Sequence, residues 1–147
     1  MRAAAAALLL LLGGVQAGSA HAQEVSSDPR ATAAPPFALG VPYPNPFRST
    51  ARIPFVLGDS AFASGGEVTV SMRIFSLLHQ LVAIPTALDH PAGRGEPIDS
   101  LSYPRPGRYL ALWDGRDRSG RRVASGPYFV QLLVNGESEV RKLLASR

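Results

Sequence analysis

Apolar and polar side chains alternate over residues 51–57: Ile53, Phe55 and Leu57 fall on one face, and Arg52, Pro54 and Val56 on the other. The same period recurs over residues 67–75, where Val68, Val70, Met72 and Ile74 oppose Thr69, Ser71 and Arg73. A period of two marks a strand with one face on a core. Pro54 has no N–H to give to a ladder, which predicts an edge position for the first of these strands. Further strands are predicted at 81–84, 108–113, 126–134 and 138–144. The last two are joined by Asn135-Gly136, a dipeptide suited to a two-residue hairpin turn.

The stretch 112–132 organises the rest. Trp113, the only tryptophan, ends one apolar run, and Tyr128 begins the next. Between them Asp114-Gly115, Ser119-Gly120 and Ser125-Gly126 punctuate a loop, because glycine enters positive φ without a Cβ clash. The pattern reads as a hairpin with Trp113 as a core anchor. Upstream, Pro42, Pro44 and Pro46 exclude a helix around Tyr43, Asn45 and Phe47. Tyr43 and Phe47 are expected to plug one end of the core. Residues 85–106 carry five prolines, with Gly93 and Gly95 between them. They read as an excursion from the sheet with at most one short strand near 98–101. About seven short strands without a helical period predict an all-β, immunoglobulin-like antiparallel sandwich over residues 37–147.

The first 36 residues follow a different pattern. Arg2, the apolar run at 3–12 and Ala20-His21-Ala22 form a secretory signal at residues 1–22 with an A-x-A cleavage site. The run is too short to span a bilayer comfortably, and no stable membrane span is expected after signal cleavage. Residues 23–36, rich in Ala, Ser and Pro, read as a flexible linker. An exported product is expected, in the periplasm, at the outer-membrane surface or outside the cell.

Composition narrows the chemistry. Cysteine is absent among the 147 residues, which excludes disulfides, thiol catalysis and cysteine zinc sites. Lys and Arg number 15 against 11 acids, a net charge of +4. That is a mild excess, suited to an anionic surface polysaccharide. With few aromatics and no basic helix, nucleic acid is not an expected partner. Arg116, Arg118, Arg121 and Arg122 form the densest basic cluster, a candidate anion-binding tip on the glycine-rich loop. Asp114 and Asp117 sit among those arginines, which would repel a calcium ion. Both carboxylates are therefore expected to bond backbone amides and shape the loop, and no metal or cofactor is expected. Ser76, His79 and Asp89 make a Ser-His-Asp set on paper only, because no strained G-x-S-x-G turn accompanies them. A non-catalytic role is expected.

Taken together, Tyr43-Pro-Asn-Pro46-Phe47, Trp113-Asp-Gly-Arg-Asp117, Ser119-Gly120-Arg121, Ala124-Ser-Gly126 with Tyr128, and Arg141-Lys142-Leu-Leu144 resemble the FlgD-like immunoglobulin-like domain. The set is similar to the C-terminal sorting domains of type IX (Por) secretion cargo. The resemblance implies a β-sandwich without catalytic residues that serves secretion, surface attachment or assembly, with export or surface-assembly machinery as partner. It also implies that the last strand and its charged pair, Arg141-Lys142, are what that machinery reads. Where the family usually carries Asp and Gly after its central strand, this chain has Ser76 and His79, so His79 is expected at a left-handed turn position.

Overall fold

The computed structural model describes residues 34–147. The expected signal at 1–22 and residues 23–33 of the expected linker lie outside them. Among the described residues there are nine strands: β1 (Phe37–Leu39), β2 (Ala51–Leu57), β3 (Val68–Phe75), β4 (Leu81–Ala83), β5 (Thr86–Ala87), β6 (Leu101–Tyr103), β7 (Gly107–Trp113), β8 (Gly126–Val134) and β9 (Glu137–Ala145), with one 3-10 turn at Asp59–Phe62. The two more than expected are short pieces of two or three residues, too brief to show a period.

One sheet runs β1-β2-β7-β5, and the other runs β4-β3-β8-β9 with β6 also on β3; every pairing is antiparallel. This is the A-B-E-D order packed on a C-F-G sheet with one strand added beyond C, the immunoglobulin arrangement. The inner faces supply the core. Ile53, Phe55 and Leu57 meet Val70, Met72, Ile74, Val130 and Leu132, all buried. Asn135 (φ 49°) and Gly136 (φ 86°) make the tight β8–β9 turn, both with the positive φ that such a turn requires.

Four expectations are corrected. First, β2 is interior, not an edge. Pro54 is tolerated because β1 pairs only as far as Leu39↔Phe55. Beyond it the chain offers Pro54 a donor alone, Gly40 N–H to Pro54 O at 2.8 Å. Second, residues 112–132 are not a hairpin. β7 and β8 belong to different sheets, and the loop between them crosses the sandwich. Third, residues 85–106 are no excursion from the sheets but a stitch along one side of the sandwich. They add β5 to β7, return so that Ile98 O accepts from Met72 N–H (2.8 Å), and add β6 to β3. Ile98 and Tyr103 are fully buried there. Fourth, Phe47 plugs the core but Tyr43 is largely exposed.

Both crossings to β7 and β8 end in the same device. Tyr109 O–H donates to Arg105 O (2.6 Å) and Tyr128 O–H to Ala124 O (2.8 Å), each four residues back. Each tyrosine stands two residues after a glycine of positive φ, Gly107 and Gly126. A tyrosine bonding back to its own approach at the start of the F-type strand is the corner of immunoglobulin-like sandwiches.

Candidate functional site

Two regions hold the residues singled out from sequence: the loop at 114–125 and the C-terminal strand.

The loop is built on its own backbone. Asp114 Oδ1 accepts from Arg116 N–H (3.0 Å), and the Trp113 indole N–H donates to Arg116 O (2.9 Å). Asp117 Oδ1 accepts from the Ser119 N–H (2.9 Å), the Ser119 hydroxyl (2.6 Å) and the Arg121 N–H (3.1 Å). These donors, led by the Ser119 hydroxyl, hold the Asp117 carboxyl below its ordinary range. Arg116 and Arg122 bridge antiparallel across a small ladder, closed by Asp117 N–H to Arg121 O (2.8 Å). Gly115 is required twice over: its φ is 70°, and a Cβ there would stand 2.9 Å from Ser49 O. Both aspartates thus bond the backbone amides of their own loop.

The same accounting sorts the arginines. Arg116 Nη1 donates to Gly120 O (3.0 Å), and Arg122 Nη1 to Arg48 O (3.1 Å). Arg121 Nε donates to the Ser119 hydroxyl (3.1 Å) and lies 3.8 Å from Asp117 Oδ2. Arg118 is tied by its backbone to β4 (N–H to Val82 O, 3.0 Å). Of these four guanidinium groups, that of Arg118 alone has no hydrogen-bond partner among the described residues. Arg116 and Arg118, together with Asp114 and Asp117, line an open cleft of about 540 Å³ shared with the apolar Ile84, Pro97, Leu112 and Trp113.

At the C-terminal strand the charged pair divides. Leu143 and Ala145 face inward and are buried. Arg141 shares their side of β9, and at this edge its Nε reaches out to donate to Leu39 O of β1 (3.0 Å). Two residues back, Glu139 Oε2 accepts from Leu39 N–H (2.6 Å). The outward-turned backbone groups of Leu39 are therefore both satisfied by β9 side chains. Sequence reasoning missed Glu139; the signal was its alternation with Arg141 on one side of a strand. Lys142 lies on the outer face with Val140 and Leu144 and is exposed.

The Tyr43–Phe47 segment covers the other half of that edge. Tyr43 pairs with Arg52 of β2. Asn45 Oδ1 accepts from Leu144 N–H (3.0 Å), Phe47 N–H donates to Leu144 O (2.9 Å) and Ser146 N–H to Phe47 O (2.8 Å). Phe47 then packs on Trp113 (ring centroids 5.0 Å) and Trp113 on Tyr128 (5.4 Å). Pro46 stands inside this segment, and Gly120 (φ 85°) turns the loop opposite.

Ser76, His79 and Asp89 do local backbone work. The Ser76 hydroxyl accepts from the Leu78 and Gln80 N–H groups (3.3 Å each), and Asp89 Oδ1 accepts from Leu110 N–H (2.9 Å). His79 sits at φ 57°, the left-handed turn position expected of it. Beside it an apolar cleft of about 360 Å³ opens on the outer face of β3, β8 and β9, lined by Phe75, Leu77, His79, Phe129, Gln131 and Val140. Among the described residues no three His, Asp or Glu side chains gather as metal ligands, and no helix is long and apolar enough to cross a membrane.

No protein-family model matches the chain, and no curated protein matches it. Among solved structures the fold is similar to part of PorZ, a surface component of the type-IX secretion system of Porphyromonas gingivalis (20% identity, 75% of this chain and 12% of that one, TM-score 0.44). It is also similar to part of dimeric latent PorU from Porphyromonas gingivalis (18% identity, 78% and 10%, TM-score 0.48). A third is AlkC, an alkylpurine DNA glycosylase of Pseudomonas fluorescens bound to DNA with an abasic-site analog (14% identity, 78% and 32%, TM-score 0.47). The chain spans about a tenth of the first two and about a third of the last. A fold of this kind carries no activity of its own.

Proposed function

We propose that the chain is a non-catalytic, exported β-sandwich module of the FlgD-like kind, acting in secretion sorting or cell-surface attachment. One observation supports this reading above others. Three motifs that carry the sequence resemblance, around Tyr43–Phe47, Trp113–Asp117 and Arg141–Leu144, meet in space at the C-terminal strand. Phe47 seats on Trp113 while its backbone and Asn45 pin β9 at Leu144. The shared residues thus form one unit that holds the last strand in place and leaves Lys142 facing solvent.

A second reading is favoured by the loop. The Arg118 guanidinium has no hydrogen-bond partner among the described residues and, with Arg116, lines the 540 Å³ cleft; Asp114 and Asp117 line the same cleft, so an anionic surface polysaccharide would have to engage Arg118 on the side away from those carboxylates.

The test uses Lys142→Gln alone, because Arg141 is committed to β1. In a host with type IX machinery the parent is expected at the cell surface, and the variant, checked for an unchanged melting temperature, in the periplasm. Equal surface delivery removes Lys142 as the handle. A parent that stays in the periplasm overturns the sorting reading in favour of the binding module.

A further inference from the structure

Among the described residues the sandwich covers part of its sides with side chains and crossing segments, and a stretch of the β9 edge is left open. In β9 the Leu144 N–H and C=O point away from β8, toward Asn45 and Phe47. The ladder with β8 is regular from Gly126↔Ala145 to Val134↔Glu137. Period two therefore turns the N–H and C=O groups of Lys142, Val140 and Ser138 the same way. Among the described residues their only hydrogen bond is a long one, Asn45 Nδ2 to Lys142 O at 3.5 Å. A strand edge with free donors and acceptors is a template for another strand. Val140 at its centre is 53% exposed.

We propose that this edge pairs with the same edge of a second copy of the chain, antiparallel about a two-fold axis at Val140. Charge selects both the partner and the register. Pairing about Val140 sets Val140 against Val140, Ser138 against Lys142, and Glu139 against Arg141, twice by symmetry. Opposite charges directly across an antiparallel pair stabilise it, and like charges oppose it. Centring on Ser138 instead would set Glu137 against Glu139. Centring on Lys142 would oppose two lysines and collide with the segment already held by Asn45 and Phe47. The inward bonds to Leu39 do not exhaust the pair: Glu139 uses Oε2 and Arg141 uses Nε, so Oε1 and both Nη groups remain for the partner copy. On the outer face Val140 extends the apolar cleft at Phe129 and Phe75 across the junction.

This pairing does not rest on the sorting role and is tested on the purified protein alone. The chain has no cysteine, so a single thiol reports register. Val140→Cys brings two thiols onto Cα atoms about 5.5 Å apart, within disulfide reach. Ser138→Cys, on the same face two residues away, leaves them far beyond it. Under mild oxidation Val140→Cys is expected to cross-link to dimer and Ser138→Cys to stay monomeric, while the double variant Ser138→Cys with Lys142→Cys cross-links again. Val140→Pro removes an N–H that β8 does not use, so its melting temperature should match the parent's. Its sedimentation coefficient should stay monomeric through micromolar concentrations at which the parent's rises to that of a dimer. A parent that is monomeric throughout, equal cross-linking of Val140→Cys and Ser138→Cys, or a Val140→Pro variant that still dimerises would each overturn the proposal.

Discussion

Replacing Trp113 by alanine removes the side chain on which the end of the sandwich closes. The indole is 2% exposed and touches Phe47 at 5.0 Å and Tyr128 at 5.4 Å between ring centroids. Emptying such a site costs about 3–5 kcal/mol in transfer and cavity terms. Each tilted aromatic contact adds about 0.5–1.5 kcal/mol beyond the area it buries, which places the loss at the upper end. The indole N–H bond to Arg116 O counts for only about 1 kcal/mol, since that carbonyl belongs to an exposed residue and water can replace the donor. A domain of this size has about 5–15 kcal/mol in all, so Trp113→Phe is run beside the alanine variant. It keeps a ring against Phe47 and Tyr128 and is expected to lose about 1–2 kcal/mol. Urea unfolding followed by far-ultraviolet circular dichroism reads both. A double-mutant cycle with Phe47→Ala should be non-additive by at least about 0.5 kcal/mol, as for residues in contact. A loss below about 1 kcal/mol for Trp113→Ala would show that the loop and the Phe47 segment do not close over the indole.

Tyr103 is fully buried, and its hydroxyl is the one buried side-chain polar atom without a partner among the described residues. Tyr103→Phe removes that cost, so calorimetry should find a melting temperature unchanged or raised, by up to about 1 kcal/mol equivalent; a clear drop would place a hidden partner on the hydroxyl. Asp117 carries a lowered folded pKa, so its contribution is present above the unfolded value near 4 and is lost as pH falls through the folded one. Asp117→Asn should melt below the parent at pH 6, and the gap should narrow as the pH falls below the ordinary carboxyl range and through the lowered folded pKa; a gap independent of pH would mean that the carboxylate's charge does not shape the loop.

Strands with a long alternation were readable, and beyond the β8–β9 hairpin their pairing partners were not. Residues 51–57 and 67–75 announce their buried faces because eight or so consecutive positions alternate. The turn at Asn135-Gly136 announces its hairpin because two positive φ values are needed there. The loop at 114–125 has equally clear turn chemistry, yet it joins different sheets. Glycine and aspartate fix the local bends, while the choice of sheet follows from what β7 and β8 meet elsewhere. Residues 85–106 hide β5, Ile98 and β6 for a related reason. Each contact is one to three residues long, and the prolines between them, which break any period, are what let the chain cross between sheets.

The C-terminal strand shows where alternation alone runs out. Period two puts Arg141 on the side of Leu143 and Lys142 on the side of Val140 and Leu144, and offers no ground for choosing which side is core. The choice is made by β1, about a hundred residues earlier in the chain. Its short edge ends at Leu39, and Leu39 needs one acceptor and one donor. Glu139 and Arg141 supply one of each, two residues apart, which is the spacing at which a strand presents neighbouring side chains to one face. A charge facing inward at a strand edge is also a known guard against edge pairing. Here the guard is spent on β1, with each head group anchored at one atom. The backbone of Ser138 and Val140 is left open, and that of Lys142 is held only by the long bond from Asn45, beside an acid and a base that complement their own symmetry mates.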